Sequence, residues 1–148
     1  MVQYERILVP TDGSEPSETA VEHAVDIAAQ YGATVDALFV VDGTYPAASH
    51  WDMYVEDQEE TGEAALDAAV AAGEAAGVTV ERHLRRGTPH EEILDAADDY
   101  GSDLIVMGTH GRTGLDRFAS TGSVTEKVVR ITAVPTLVVG GARTPETS

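Results

Sequence analysis

Short apolar bursts alternate with longer amphipathic stretches along this chain, and that alternation limits its fold more than any other feature. Strands and amphipathic helices in strict turn build βαβ units, whose strands lie parallel and need helices on both faces. Arg6-Ile7-Leu8-Val9-Pro10 reads as the first strand. Ser14 to Tyr31 reads as a helix, because Val21, Ala24, Val25 and Ala28 recur at i, i+3, i+4 and i+7. Ser14 can cap it, Pro16 suits its first turn and Gly32 follows its end. Thr34 to Val41 is the second strand. A long connection, Asp42 to Asp57, precedes a second helix over about Gln58 to Ala76. Its alanine-rich face permits close approach to a sheet, and Glu59, Glu60 and Glu63 are expected near the positive end of its dipole.

Val78 to Arg86 is the third strand. Thr88-Pro89-His90-Glu91 spells a capping box before a helix with Ile93, Leu94, Ala96 and Ala97 on one side. Leu104 to Met107 is the fourth strand, Ser123 to Thr132 the fourth helix and Pro135 to Val139 the fifth strand. Residues 1–140 therefore form one α/β domain, an open doubly wound five-stranded parallel sheet with helices on both faces. Residues 141–148 read as a flexible tail. In such sheets ligands bind beyond the carboxyl ends of the strands, where strand order reverses.

Two strand ends carry suitable chemistry. The fourth strand feeds Gly108-Thr109-His110-Gly111-Arg112-Thr113-Gly114, and the segment Gly122-Ser123-Val124-Thr125 opens the next helix. Glycines admit close backbone approach, and a helix start leaves N–H groups without intrahelical acceptors, so this pattern suits a phosphate. The hydroxyls of Ser123 and Thr125 add donors. The bland reading is a glycine-rich turn with a helix cap. The first strand ends in Pro10-Thr11-Asp12-Gly13-Ser14. Asp12 suits ribose hydroxyls or a divalent ion carried by phosphates; equally, an aspartate there can serve the turn alone.

Other chemistries lack support. With no cysteine there is neither a disulfide nor a thiolate zinc site. None of His23, His50, His83, His90 and His110 has paired metal-ligand spacing along the chain, so no metal cage is expected. The P-loop lysine is missing, since Lys127 lies inside a helix. No lysine follows the fifth strand, which argues against a phosphoacceptor receiver. A flavin site is disfavoured because Phe118 is the lone aromatic near the glycine-rich loop. Tyr45, His50, Trp51, Met53 and Tyr54 make the long connection a candidate lid or contact surface.

The formal charge is −17, with 26 carboxylates against nine Lys and Arg. Such a surface repels nucleic acid and anionic lipid. It suits a high-salt cytoplasm, a halophilic reading. The start of the chain lacks the apolar core of a signal peptide, and no run approaches the ~18 residues of a membrane span. A cytoplasmic location, with no membrane partner, is expected.

Taken in order, four segments resemble the universal stress protein family: Ile7 to Ser14, Gly108 to Gly114, Gly122 to Val129 and Val134 to Val139. The resemblance implies strand order 3-2-1-4-5 and a homodimer formed through the last strand, Val134–Val139. It implies that Pro10, Thr11, Asp12, Val40, Met107 and Gly108 line an adenosine site. Gly111, Gly122, Ser123, Val124 and Thr125 would hold the phosphates of ATP, with Mg²⁺ at Asp12. The family's ATP-binding branch carries Gly-x-x-Gly, nine residues, then Gly-Ser/Thr; here ten, Arg112 to Thr121, separate Gly111 from Gly122. Two readings follow. One is an ATP-binding stress-response protein, at most a slow ATPase, since no strong general base is visible. The other is a dimeric interaction module of the same fold that binds no nucleotide and meets an unknown protein partner.

Overall fold

A computed structural model describes residues 2–43, 51–109 and 124–140, with the backbone alone for 51–57. The elements are β1 (Arg6–Pro10), α1 (Glu15–Tyr31), β2 (Thr34–Asp42), α2 (Trp51–Ala76), β3 (Val80–Gly87), α3 (Pro89–Tyr100), β4 (Leu104–Gly108), α4 (Val124–Ile131) and β5 (Thr136–Val139). The strands form one sheet in the order β3-β2-β1-β4-β5. Every pairing is parallel. Residues 141–148, the expected tail, lie outside the described residues.

Pleating sorts the core into two layers, because successive side chains point to opposite faces of a strand. Ile7 and Val9, Val35 to Val41 at odd positions, and Leu104 and Val106 meet Ala20, Ala24 and Ala28 of α1 and Leu66 and Ala69 of α2. Leu8, Leu38, Ile105 and Met107 meet Ile93, Ala96 and Ala97 of α3 and Val128 of α4. Burying one leucine- or isoleucine-sized side chain contributes about 1.5–3 kcal/mol, so these layers dominate stability.

Local signals set most boundaries. Ser14 is extended and caps α1 through its side chain, and Gly32 ends that helix in the left-handed conformation. Gly101 ends α3 likewise. Two expectations need correction. Thr88 stands at the α3 N-cap but its side chain makes no cap hydrogen bond; its carbonyl alone accepts, from Glu92 N–H at 2.9 Å. The second correction concerns α2, which starts at Trp51 rather than near Gln58. No glycine or proline interrupts 51–61, so nothing blocks the earlier start. Glu59, Glu60 and Glu63 consequently sit two turns or more inside the helix, away from its dipole end. Glu59 and Glu63 instead pair with arginines of β3.

A polar seam runs under α3. Asp36 on β2 is wholly buried and accepts from Arg6 Nη2 at 2.6 Å, Arg6 Nε at 3.1 Å and His83 Nε2 at 2.8 Å. The Asp36 hydrogen bond, helped by Glu81, holds the Arg6 guanidinium above the usual arginine pKa. The His83 ring stacks on Tyr100, with centroids 4.1 Å apart. Arg85 donates to Tyr100 Oη at 3.3 Å, Glu92 at 2.9 Å and Asp99 at 3.1 Å, and these partners raise its pKa, Tyr100 most.

Candidate nucleotide crevice

Strand β1 is the point where the sheet reverses direction of growth. The chain runs from β1 outward to β2 and β3, then returns past β1 to β4 and β5. Ile7 pairs with Leu104 and Leu8 with Ile105, so the carboxyl ends of β1 and β4 stand side by side. The sequence marked these two ends, and the fold brings them to one crevice, where open α/β sheets bind ligands.

The β1 end is a tight turn stitched by hydroxyls. Thr11 N–H donates to Leu38 O at 2.8 Å, which holds the turn to β2. Thr11 is buried, and its Oγ1 lies 3.1 Å from Ser17 Oγ and accepts from Gly13 N–H at 3.3 Å. Its hydroxyl thus serves the β1–α1 turn. Ser17 Oγ also accepts from Asp12 N–H at 3.3 Å and donates to Ser14 O at 2.9 Å. Gly13 takes φ +83°, a conformation that other residues resist. Asp12 is exposed, and its Oδ1 accepts from Ser14 N–H at 2.9 Å. One carboxylate oxygen therefore shapes the turn, as the bland reading requires. That same bond holds the carboxyl group at the carboxyl end of β1.

On the β4 side, Gly108 allows a close approach. A Cβ there would stand 2.4 Å from Pro16 O, so the start of α1 presses directly on the end of β4. The glycine therefore has a packing reason as well as the expected ligand-facing one. Thr109 N–H donates to Val139 O at 2.9 Å, which extends the β4–β5 ladder and removes that amide from any phosphate. Thr125 Oγ1 donates to Gly108 O at 2.9 Å, tying the first turn of α4 to the strand end. That hydroxyl proton is spent inside the protein, while α4 helix geometry still leaves the first backbone N–H groups without intrahelical acceptors.

Pro10, Val40 and Met107 share the α3–α4 face by pleat parity, and Val40, Met107 and Val124 pack in one cluster there. Thr11 and Gly108 lie toward α1. The expected adenosine-lining residues thus straddle the rim of the sheet around the ends of β2, β1 and β4. Gly111, Gly122, Ser123, His110, Arg112 and Arg117 lie outside the described residues. So do Tyr45 and His50 of the expected lid; Trp51, Met53 and Tyr54 fall on the first turns of α2.

Comparison with known proteins decides the family. A model of the universal stress protein family matches residues 3–140. The chain belongs to that family. A universal stress protein of Methanocaldococcus jannaschii is 40% identical over 140 residues, spanning 92% of this chain and 82% of the relative. A solved universal stress protein from Burkholderia pseudomallei matches with TM-score 0.77 at 30% identity, over 92% of this chain and 96% of its own. Another, solved in complex with cAMP, matches with TM-score 0.74 at 26% identity, over 95% of this chain and 100% of its own. Universal stress proteins thus include members that bind an adenine nucleotide at this level of similarity. Among the described residues, no helix is long and apolar enough to cross a membrane.

Proposed function

We propose that this universal stress protein binds an adenine nucleotide, ATP with Mg²⁺, in the crevice between β1 and β4, and acts in a cytoplasmic stress response. The observation that carries the reading is the pairing of β1 with β4 at the reversal point, which brings the carboxyl end of β1, leading into Asp12, alongside the carboxyl end of β4. Pro10, Thr11, Val40 and Met107 would frame the adenosine, with Thr11 contributing the shape of the turn. The second oxygen of Asp12 is the one suited to ribose or Mg²⁺. Backbone amides of Gly111, Gly122, Ser123, Val124 and Thr125 would meet the phosphates. Any hydrolysis is expected to be slow, because the described residues of the site offer no strong general base. A homodimer through β5 accompanies this reading.

The test is mass analysis of nucleotide released from native protein, with ATP titration of the wild type and Gly122→Val. ATP released by the wild type and lost in Gly122→Val is the expected result. Retention of ATP by Gly122→Val moves the site elsewhere. No binding even with added ATP and Mg²⁺ selects the second reading, an interaction module without nucleotide. That reading draws on the ten-residue spacing and on the Thr125 hydroxyl, already bonded to Gly108 O.

Salt gives a second check. ATP is an anion approaching a protein of charge −17. The screening length shortens from about 10 Å at 0.1 M salt to about 3 Å at 1 M. ATP affinity is therefore expected to hold or improve as KCl rises, and a steep loss contradicts that expectation.

A further inference from the structure

We propose that Asp36, Glu81 and His83 form a binding site for a divalent transition-metal ion of the zinc class, at the end of the sheet remote from the nucleotide crevice. Asp36 and Glu81 are direct register partners on the parallel β2–β3 pair, and His83 follows two residues on, opposite Leu38. Pleating turns all three toward α3. One donor atom from each lies within 4.8 Å of the others. Spacing along the chain hides this cluster, because 45 and more residues separate Asp36 from its partners and the strand register alone brings them together.

The geometry is close to that of an ion's inner shell. In a tetrahedral shell, ligands bound at about 2.0–2.2 Å stand about 3.3–3.6 Å apart, so the widest pair closes by at most about 1.5 Å, a movement the exposed Glu81 arm can make. The two inner donors are already fixed. Asp36 is wholly buried, and His83 is held by the Tyr100 ring with Nε2 2.8 Å from Asp36 Oδ1. Glu81 is 49% exposed and supplies the adjustable arm. An imidazole with two carboxylates favours Zn²⁺ and its neighbours over Mg²⁺ or Ca²⁺. Three protein ligands leave a position for water, as in open zinc sites. The carboxyl end of the α3 dipole, at Tyr100, adds a field that favours a cation.

Arg6 is the competitor. Its Nη2 lies 2.6 Å from Asp36 Oδ1 and 3.1 Å from Glu81 Oε1, where the ion's charge would go. The Arg6 side chain is 34% exposed, so it can swing toward solvent and yield to a doubly charged ion. Competition fixes the sign of the key variant. If the cluster is a metal site, loss of Arg6 tightens binding. If it is only a structural network, loss of Arg6 changes stability and creates no affinity.

The experiment uses the untagged full chain, stripped of nucleotide, titrated with Zn²⁺ by calorimetry and with Co²⁺ by visible absorption. One ion per chain is expected, with ligand-field bands for Co²⁺. Glu81→Gln and His83→Gln each weaken binding by about tenfold or more, and Arg6→Gln strengthens it by a similar factor. Glu81 is half-exposed, so Glu81→Gln keeps the test decisive should His83→Gln fail to fold. Absence of a binding isotherm in the wild type overturns the proposal. Unchanged affinity in both Glu81→Gln and His83→Gln also overturns it and assigns the ion to other surface groups.

Discussion

Strand β3 at one edge of the sheet carries Arg82, Arg85 and Arg86, and each is bonded to carboxylates of a covering helix. Strand β5 at the other edge carries Leu137 and Val138, 37% and 40% exposed, and no charge at all. On β3 the alternation is put to full use. Arg82 and Arg86 turn to α2, where Glu63 and Asp67 hold the first and Glu59 the second. Glu81, His83 and Arg85 turn to α3 and the buried Asp36. Charged side chains on an edge discourage further strand pairing, whereas a bare apolar edge invites it. The α4 helix, just before β5, also exposes Val129 and Ile131. The contrast makes β5 the edge better suited to further pairing than β3, which is the physical case for the proposed homodimer.

The largest expected effect comes from removing the anchor of the β3 side. Asp36→Ala leaves His83 without its carboxylate and Arg6 with Glu81 alone. Breaking a buried pair typically costs about 3–5 kcal/mol, and because Arg6 reaches solvent the lower figure applies, near 3 kcal/mol. In a domain of this size that is a fall in Tm of roughly 8 °C. Thermal melts of Asp36→Ala against Asp36→Asn check it, with the amide recovering part of the loss. A change below about 1 kcal/mol, as for an ordinary surface ion pair, means the β3 side is not anchored through this residue.

A smaller effect, read on assembly rather than stability, should separate the two edges. Val138→Lys puts a charge on the apolar edge. The dimer dissociation constant is expected to rise at least about tenfold, or ~1.4 kcal/mol. Leu84→Lys makes the same change on β3, where Leu84 is 38% exposed, and should leave the oligomeric state alone. Sedimentation of both variants across a dilution series decides. Dissociation by Leu84→Lys with Val138→Lys unaffected inverts the comparison, and a monomeric wild type removes it.

Much of this frame was legible in the residues themselves. Strand positions, the Ser14 cap and the Gly32 and Gly101 stops are local events, written in side chains within a few positions of one another. The order of the strands was not legible in that way; it came from family resemblance, because nothing local says that β4 returns to lie beside β1. Trp51, Tyr54 and Val55 do recur at i, i+3 and i+4, but aromatic residues in a long connection suit a contact loop equally well, and so the early start of α2 escaped. Asp36 escaped for a different reason. It sits in an otherwise apolar strand, and its partners arrive by register from β1 and β3. At the crevice, the turn 10–14 and Gly108 were legible as strand ends. The internal bonds of the Thr109 amide and the Thr125 hydroxyl were not, since their acceptors lie 17 to 30 residues away in sequence.

The smallest effect tests whether the charges on β3 act as separate pairs or as part of the whole surface. Arg82 and its partners Glu63 and Asp67 are 37%, 55% and 67% exposed. Exposed pairs contribute about 0.2–1 kcal/mol and less as salt rises. Arg82→Ala is therefore expected to cost about 0.5 kcal/mol in 0.1 M KCl and nearly nothing in 1 M. The protein as a whole should respond with the opposite sign. Carboxylates outnumber basic residues 26 to nine, so after every pairing most of the acidic surface still repels itself. Screening weakens both terms, but the repulsion involves far more charges than the pairs do, and self-repulsion destabilises a compact state. The wild-type Tm should therefore rise with KCl even as the Arg82→Ala difference shrinks. Melting both proteins at the two salt concentrations separates the contributions. A wild-type Tm that falls with salt means the pairs on β3 outweigh the repulsion, and the acidic surface then has no part in holding the fold at high salt.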